Sequence, residues 1–150
     1  MDYSEMIFLL EKTFCAEPVK ESDILNAELE IGTSFSPSHR FFLSKFGASL
    51  GNIVELAGIF NYPDKSSPPQ WMDVIRYTKE LRKDLKGDIP GNSIFVSHDG
   101  SEDTFYIDPD LKNSDGESPV FVWGPGVEGK KVAASFAEFV VDIANDKLDY

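Results

Sequence analysis

The chain has 150 residues, 41% of them hydrophobic, and a formal net charge of −12. Its length predicts one domain, spanning residues 1–150, and its apolar content is sufficient for a packed core. The negative charge disfavours binding to nucleic acid or to an anionic membrane, because clustered Lys and Arg bind phosphate groups. The charge fits a cationic protein partner, or simply high solubility.

The N-terminal part of the chain is predicted to be helical. Apolar residues at helical spacing predict a first helix from Ser4 to Phe14, which ends before Pro18. A short second helix is predicted from Ser22 to Glu30, with Leu25 and Leu29 on one face.

A third helix has clearer signals at both ends. Ser36 is a predicted N-cap, Pro37 occupies the first helical position, and Gly47 follows the last periodic residue. The residues predicted to face the core are Phe42, Leu43 and Phe46.

The middle of the chain is predicted to hold one strand and one helix. Residues 52–60 alternate weakly between apolar and polar, which predicts a strand with Gly58 as a bulge. A loop rich in Pro and Ser follows from Tyr62 to Pro69, and helical spacing returns from Trp71 to Leu85. The basic residues predicted to point outward from this helix are Arg76, Lys79, Arg82, Lys83 and Lys86.

Three strands are predicted next, over 94–96, 105–107 and 119–123, because these runs are rich in β-branched and aromatic residues. Asp99-Gly100 is a typical hairpin turn between the first two. The sequence therefore predicts consecutive strands that pair in an antiparallel manner.

The last part of the chain is predicted to be a connector and a helix. Residues 124–129 are rich in Gly and predict a flexible loop. Ser135 and Glu138 have the spacing of a capping box, which predicts a final helix. The order of elements predicts an α+β fold with a mainly antiparallel sheet of four to six strands flanked by helices.

Acidic residues cluster at the turns of the predicted three-strand region. They do not match a calcium-binding loop, which needs ligands at alternate positions and a distal Glu, and Asp is also an ordinary turn residue. A surface that meets a basic partner is therefore favoured over a metal site. The candidate contact residues are Asp99, Glu102, Asp103, Asp110, Asp115 and Glu117.

Catalytic, cofactor and metal sites are not indicated elsewhere. His39 and His98 have no further ligand at zinc spacing, and Cys15 lies near no recognisable base. The Gly-rich loop at 124–129 lacks the Lys-Ser/Thr of a phosphate-binding loop. The sequence therefore predicts no enzymatic activity, no cofactor and no metal.

The cellular location is predicted from the single cysteine and the N-terminus. Cys15 cannot form an internal disulfide, and residues 1–5 are acidic where a signal peptide is basic. We therefore expect a cytoplasmic protein.

The basic face of the Trp71–Leu85 helix is interpreted as a solvated surface. The alternative is that it pairs with the acidic hairpin of a second copy of the chain in a homodimer.

Three segments together resemble the SUKH superfamily, which includes the yeast cell-wall assembly regulator and many small bacterial proteins. The first is Phe35 to Ala48, with Pro37 near its start and a closing Gly47; the family usually has Tyr where His39 stands. The second, 99–123, has an acidic turn, an aromatic strand and a Pro-Val step towards a Trp, although the turn reads Gly-Ser-Glu-Asp where the family commonly has Gly-x-Gly-Asp. The third is 132–139, and the resemblance covers about residues 31–141.

The resemblance implies a sheet flanked by helices and, for a short bacterial member, an immunity function. Such a protein binds and neutralises a cognate secreted toxin, often a nuclease, through stoichiometric protein–protein binding. The acidic turns are the surface expected to contact a basic nuclease domain. The alternatives are a general interaction or scaffold module, as in the eukaryotic relatives, and an unrecognised enzyme, which would need a pocket with converging polar groups.

Overall fold

The computed structural model describes residues 2–60, 72–100 and 102–150. Within these ranges the chain forms five helices and two antiparallel sheets. The helices are α1 (Ser4–Leu10), α2 (Glu21–Ile31), α3 (Pro37–Phe46), α4 (Val74–Asp84) and α5 (Phe136–Ala144). The strands are β1 (Ser49–Gly51), β2 (Val54–Leu56), β3 (Ile94–His98), β4 (Thr104–Ile107), β5 (Val120–Gly124) and β6 (Val127–Ala133). The loop predicted over 62–69, Trp71 and the turn residue Ser101 lie outside the described residues.

The larger sheet has four strands in the order β3-β4-β5-β6, and each neighbour is antiparallel. The predicted α+β class is therefore confirmed. The strand predicted over 52–60 is present but shorter: it is β2, which pairs with β1 in a hairpin whose turn includes Asn52 at φ 78°. Gly58 is not a bulge: it bridges Asp73 and lies against the Gly47 carbonyl, where a Cβ would come within 1.7 Å of the oxygen.

Strand β6 begins within the segment predicted to be a loop, 124–129, and takes up its second half. Gly124 pairs with Val127, so Pro125 and Gly126 make a tight turn, and Gly126 adopts φ 75°, which favours glycine. Lys130 and Lys131 lie exposed on this edge strand, where charge discourages pairing with another chain.

The core lies between the sheet and the helices. Phe42, Phe136 and Phe139 have no exposed surface, and His39 stacks on Phe136 with ring centroids 4.4 Å apart. In α2 the buried residues are Ile24, Ala27 and Ile31. Leu25 and Leu29, which share another face of this helix, are exposed.

Helix ends follow local capping chemistry. In α5 the Ser135 hydroxyl accepts from the Glu138 amide (3.1 Å), while the Glu138 carboxylate accepts from the Ala134 amide (3.1 Å). At α4 the Asp73 carboxylate accepts from the amides of Ile75 and Arg76.

In the described ranges no helix combines the length and apolar character needed to cross a membrane.

Arg82 was predicted to point outward with the other basic residues of α4, and the structure corrects this. Its guanidinium donates to the carbonyl oxygens of Ile31 (2.6 Å), Ser93 (3.0 Å) and Asn92 (3.1 Å). Arg82 therefore ties the end of α2 to the start of β3. On the same helix Lys79 pairs with a Glu30 carboxylate at 3.1 Å.

Candidate protein-binding site

The six predicted contact residues lie in two groups at opposite ends of β4. Asp99, Glu102 and Asp103 belong to the β3–β4 turn, whereas the other three belong to the β4–β5 connection. The four residues of β4 alone extend about 13 Å at about 3.3 Å per residue. The structure therefore does not form one continuous surface from all six.

In the turn group, Asp99 and Asp103 lie close to the tail of the chain. The Tyr150 hydroxyl donates to the Asp99 carboxylate at 3.4 Å. Burial, with the charge of Asp99, raises the pKa of Asp103, and burial with both carboxylates raises the pKa of Tyr150 to about 12. Glu102 is exposed beside them. The turn group thus concentrates negative charge where it is reachable.

A recess of about 310 Å³ adjoins the turn group. Phe105, Ile143 and Leu148 contribute apolar surface to it, and Asp99 and Asp146 contribute carboxylates. The Tyr150 ring lies edge-on to Phe105, with centroids 5.8 Å apart. The sequence could not indicate this arrangement, because the tail reaches the turn only through tertiary packing.

In the β4–β5 connection, Asp110 and Asp115 are exposed on a hydrogen-bonded loop. The Asp110 amide donates to the Asp108 carboxylate (3.1 Å), and the Asp115 amide donates to the Asn113 side-chain oxygen (2.9 Å). The same Asn113 oxygen accepts from the Glu117 amide at 3.0 Å. The loop therefore presents two carboxylates on a fixed backbone.

Glu117 was predicted to contact a partner, and its position corrects that prediction. Its side chain has no exposed surface and accepts from the Ser38 amide (2.8 Å) and from the Ser38 hydroxyl (2.7 Å). The same hydroxyl accepts from the Ala137 amide at 3.1 Å. Glu117 thus satisfies the free amide at the start of α3 and, through Ser38, one at the start of α5.

The N-cap predicted at Ser36 is accordingly replaced. Its side chain makes no capping hydrogen bond, and its buried hydroxyl has no hydrogen-bond partner among the described residues. The Glu117 carboxylate, 79 residues away in the chain, accepts the hydrogen bond that a local N-cap was expected to accept. The sequence offered only an indirect signal, which is that the first turn of α3 contains no acidic residue.

A third acidic group, which the sequence did not indicate, lies at the groove between α1 and α5. Asp2 and Glu5 line one side of this groove, and Glu138 and Asp142 line the other. Asp115 lies near it, since burial and the charges of Glu117 and Asp115 raise the pKa of Tyr3, a residue of the groove. The available signal was the four-residue spacing of Glu138 and Asp142 on one helix face.

His39 and Cys15 are packing residues in the structure. Burial lowers the pKa of His39 to about 3, and neither ring nitrogen has a hydrogen-bond partner in the described part of the chain. Burial raises the pKa of Cys15, which disfavours the reactive thiolate. No group of three or more His, Cys, Asp or Glu residues suited to a metal occurs within the described ranges.

Comparison with known proteins gives one family. The SUKH_5 family model, described as SMI1-KNR4 cell-wall, matches residues 5–145. No curated protein matches the chain.

Proposed function

The chain belongs to the SUKH_5 family of the SUKH superfamily, and from this premise we propose that it is an immunity protein. It binds a cognate toxin domain stoichiometrically and blocks it, and it catalyses no reaction itself. The observation that carries the proposal is a net charge of −12 with exposed carboxylates at both ends of the main sheet.

The surface of a nuclease is basic where it meets its substrate. A nuclease binds phosphates in a groove lined by Lys and Arg, and carboxylates held on a fixed backbone can occupy the same groove. Complementary charge also accelerates association, by roughly 10- to 10³-fold at low salt. The partner that fits best is therefore a basic toxin domain, with the cytoplasm as the compartment where the producing cell needs protection.

The residues proposed to contact the toxin are the exposed ones of the predicted set. They are Asp99 and Glu102 of the turn group, and Asp110 and Asp115 of the loop group; the half-buried Asp103 of the turn is the one further member proposed. Glu117 is removed from the set because it is buried.

A second function is favoured by the description of the family, which refers to the cell wall. Under this alternative the chain is a general interaction or scaffold module that binds several partners with modest affinity. The two functions differ in one measurable respect, since only an immunity protein protects cells from a toxin.

The test is co-purification with the product of the adjacent gene, followed by rescue of cells that express that product. We expect a one-to-one complex and restored growth. Two double substitutions divide the acidic groups: Asp99→Asn/Glu102→Gln in the turn and Asp110→Asn/Asp115→Asn in the loop. At least one should weaken the complex.

The matched control is Asp84→Asn/Asp88→Asn, which removes the same number of exposed charges elsewhere on the surface. It should leave the affinity of the complex nearly unchanged. Absence of a complex together with absence of protection would count against the immunity function, and binding without protection would support the scaffold function.

A further inference from the structure

A shallow groove of about 390 Å³ lies between α1 and α5, with negative charge on both sides. Asp2 and Glu5 line it from the α1 side, and Glu138 and Asp142 line it from α5. Among the described residues that line the groove there is no Lys or Arg. Its rim therefore carries one sign of charge.

The floor of the groove contains apolar surface held by two packed helices. Met6 is 1% exposed, and the half-buried side chains of Tyr3 and Val141 lie beside it. Because α1 packs directly on α5, this floor is fixed before any partner arrives. An apolar centre within a charged rim has the composition of a protein-docking surface.

The rim carboxylates also repel one another in the free protein. Glu138 and Asp142 are four residues apart on α5, and like charges at that spacing destabilise a helix. Burial and the charges of Glu138 and Glu5 raise the pKa of Asp142, against the opposing effect of Lys147. A positive group placed in the groove would relieve this repulsion.

We propose that the α1–α5 groove is a docking site for a positively charged segment of a partner protein. Lys or Arg side chains of that segment pair with Glu5 and Asp142, and its apolar side chains contact Tyr3 and Val141. The inference rests on the proposed function for the identity of the partner, the toxin, but a cationic segment can be tested without it. Charge complementarity makes a basic polypeptide the occupant, since phosphate groups would be repelled.

The first experiment uses a synthetic amphipathic peptide with Lys on one face and Leu on the other. Its binding is followed by amide chemical shifts and by calorimetry. We expect the largest shifts at Glu5, Val141 and Asp142. The double substitution Glu5→Gln/Asp142→Asn should weaken binding about tenfold, the loss expected for two partly desolvated ion pairs.

The control for charge alone is again Asp84→Asn/Asp88→Asn, which should change the affinity for the peptide by less than about twofold. Equal weakening by the two double variants would show diffuse attraction and would overturn the site. Largest shifts at Asp99 would also overturn it. If the groove variant does not fold, Glu5→Lys alone, at an exposed residue of α1, provides the same comparison.

The second experiment repeats the comparison with the cognate toxin and separates this inference from the proposed function. A toxin that binds the wild type and the Glu5→Gln/Asp142→Asn variant equally refutes the groove and leaves the immunity function standing. Failure of the toxin to bind, with the peptide still held in the groove, refutes the immunity function alone. A wild-type dimer that this variant converts to a monomer would make the occupant a second copy, and would overturn the proposal.

Discussion

Acid should destabilise this protein through His39, whose imidazole is fully buried between aromatic rings. Burial lowers its pKa from 6.5 to about 3, so the folded state holds the ring neutral, while the unfolded chain binds a proton as the pH falls below 6.5. The unfolded state thus binds more protons between those two values, and the free energy of unfolding decreases across that window. Stability is retained above pH 6.5 and is lost progressively towards pH 3.

The loss of unfolding free energy depends on how far the pH lies below the pKa of His39 in the unfolded chain. At pH 5 the solution is about 1.5 pH units below that value, and each unit corresponds to about 1.4 kcal/mol. His39 should therefore remove about 2 kcal/mol of unfolding free energy between pH 7 and pH 5. That is a large part of the stability of a domain of this size.

The substitution that isolates this contribution is His39→Phe. The ring stacks on Phe136 and lies edge-on to Phe35 at 4.9 Å, and its nitrogens make no hydrogen bond with any described residue, so a phenyl ring suits the site chemically. Urea unfolding at pH 7 and pH 5 gives the two free energies for parent and variant. His98→Gln, at a half-buried residue, is the control and should keep the loss seen in the parent. An identical loss in His39→Phe and in the parent would refute the reasoning.

Three further predictions concern stability at neutral pH, measured by urea unfolding. Glu117→Ala should cost about 2–4 kcal/mol, because it removes two hydrogen bonds to a buried carboxylate; a cost near zero would show that the cap is unimportant. Gly58→Ala should cost about 3 kcal/mol or more, since its Cβ would lie 1.7 Å from the Gly47 carbonyl oxygen. Gly91→Ala, whose Cβ would enter open space, should be tolerated. Arg82→Ala should cost about 2–3 kcal/mol through the loss of its hydrogen bonds, while exposed Lys83→Ala should stay within about 0.5 kcal/mol.

The elements that the sequence predicted well carry their signals locally. Helix α3 begins at Pro37 and ends before Gly47, and α5 begins after Ser135, because a proline, a glycine and a hydroxyl act within one helical turn. Strands β3 and β4 also followed directly from their composition. In each case the residues that decide the structure are neighbours in the chain.

The sequence is less informative where packing between distant segments decides the structure. Leu25 and Leu29 have helical spacing, yet α2 buries the face with Ala27 because that face meets α3 and α4. Strand β6 was not predicted because Gly126 and Gly129 are local signals for a loop. Pairing with β5 overrides that local preference.

The candidate site was predictable in chemistry but not in arrangement. The exposed turn carboxylates follow from composition, whereas their division between two ends of β4 follows from the strand order. The burial of Glu117 could not be predicted, because its partner Ser38 is 79 residues away. Likewise, Glu5 approaches Asp142 only because α1 packs on α5.

The link from Glu117 through Ser38 to Ala137 has a consequence for how the chain folds. It joins segments 79 and 99 residues apart, so it cannot form until most of the polypeptide has been brought together. We therefore expect α3 and α5 to acquire their final N-terminal turns late and in concert. Closure of this three-segment junction is then one of the last steps of folding.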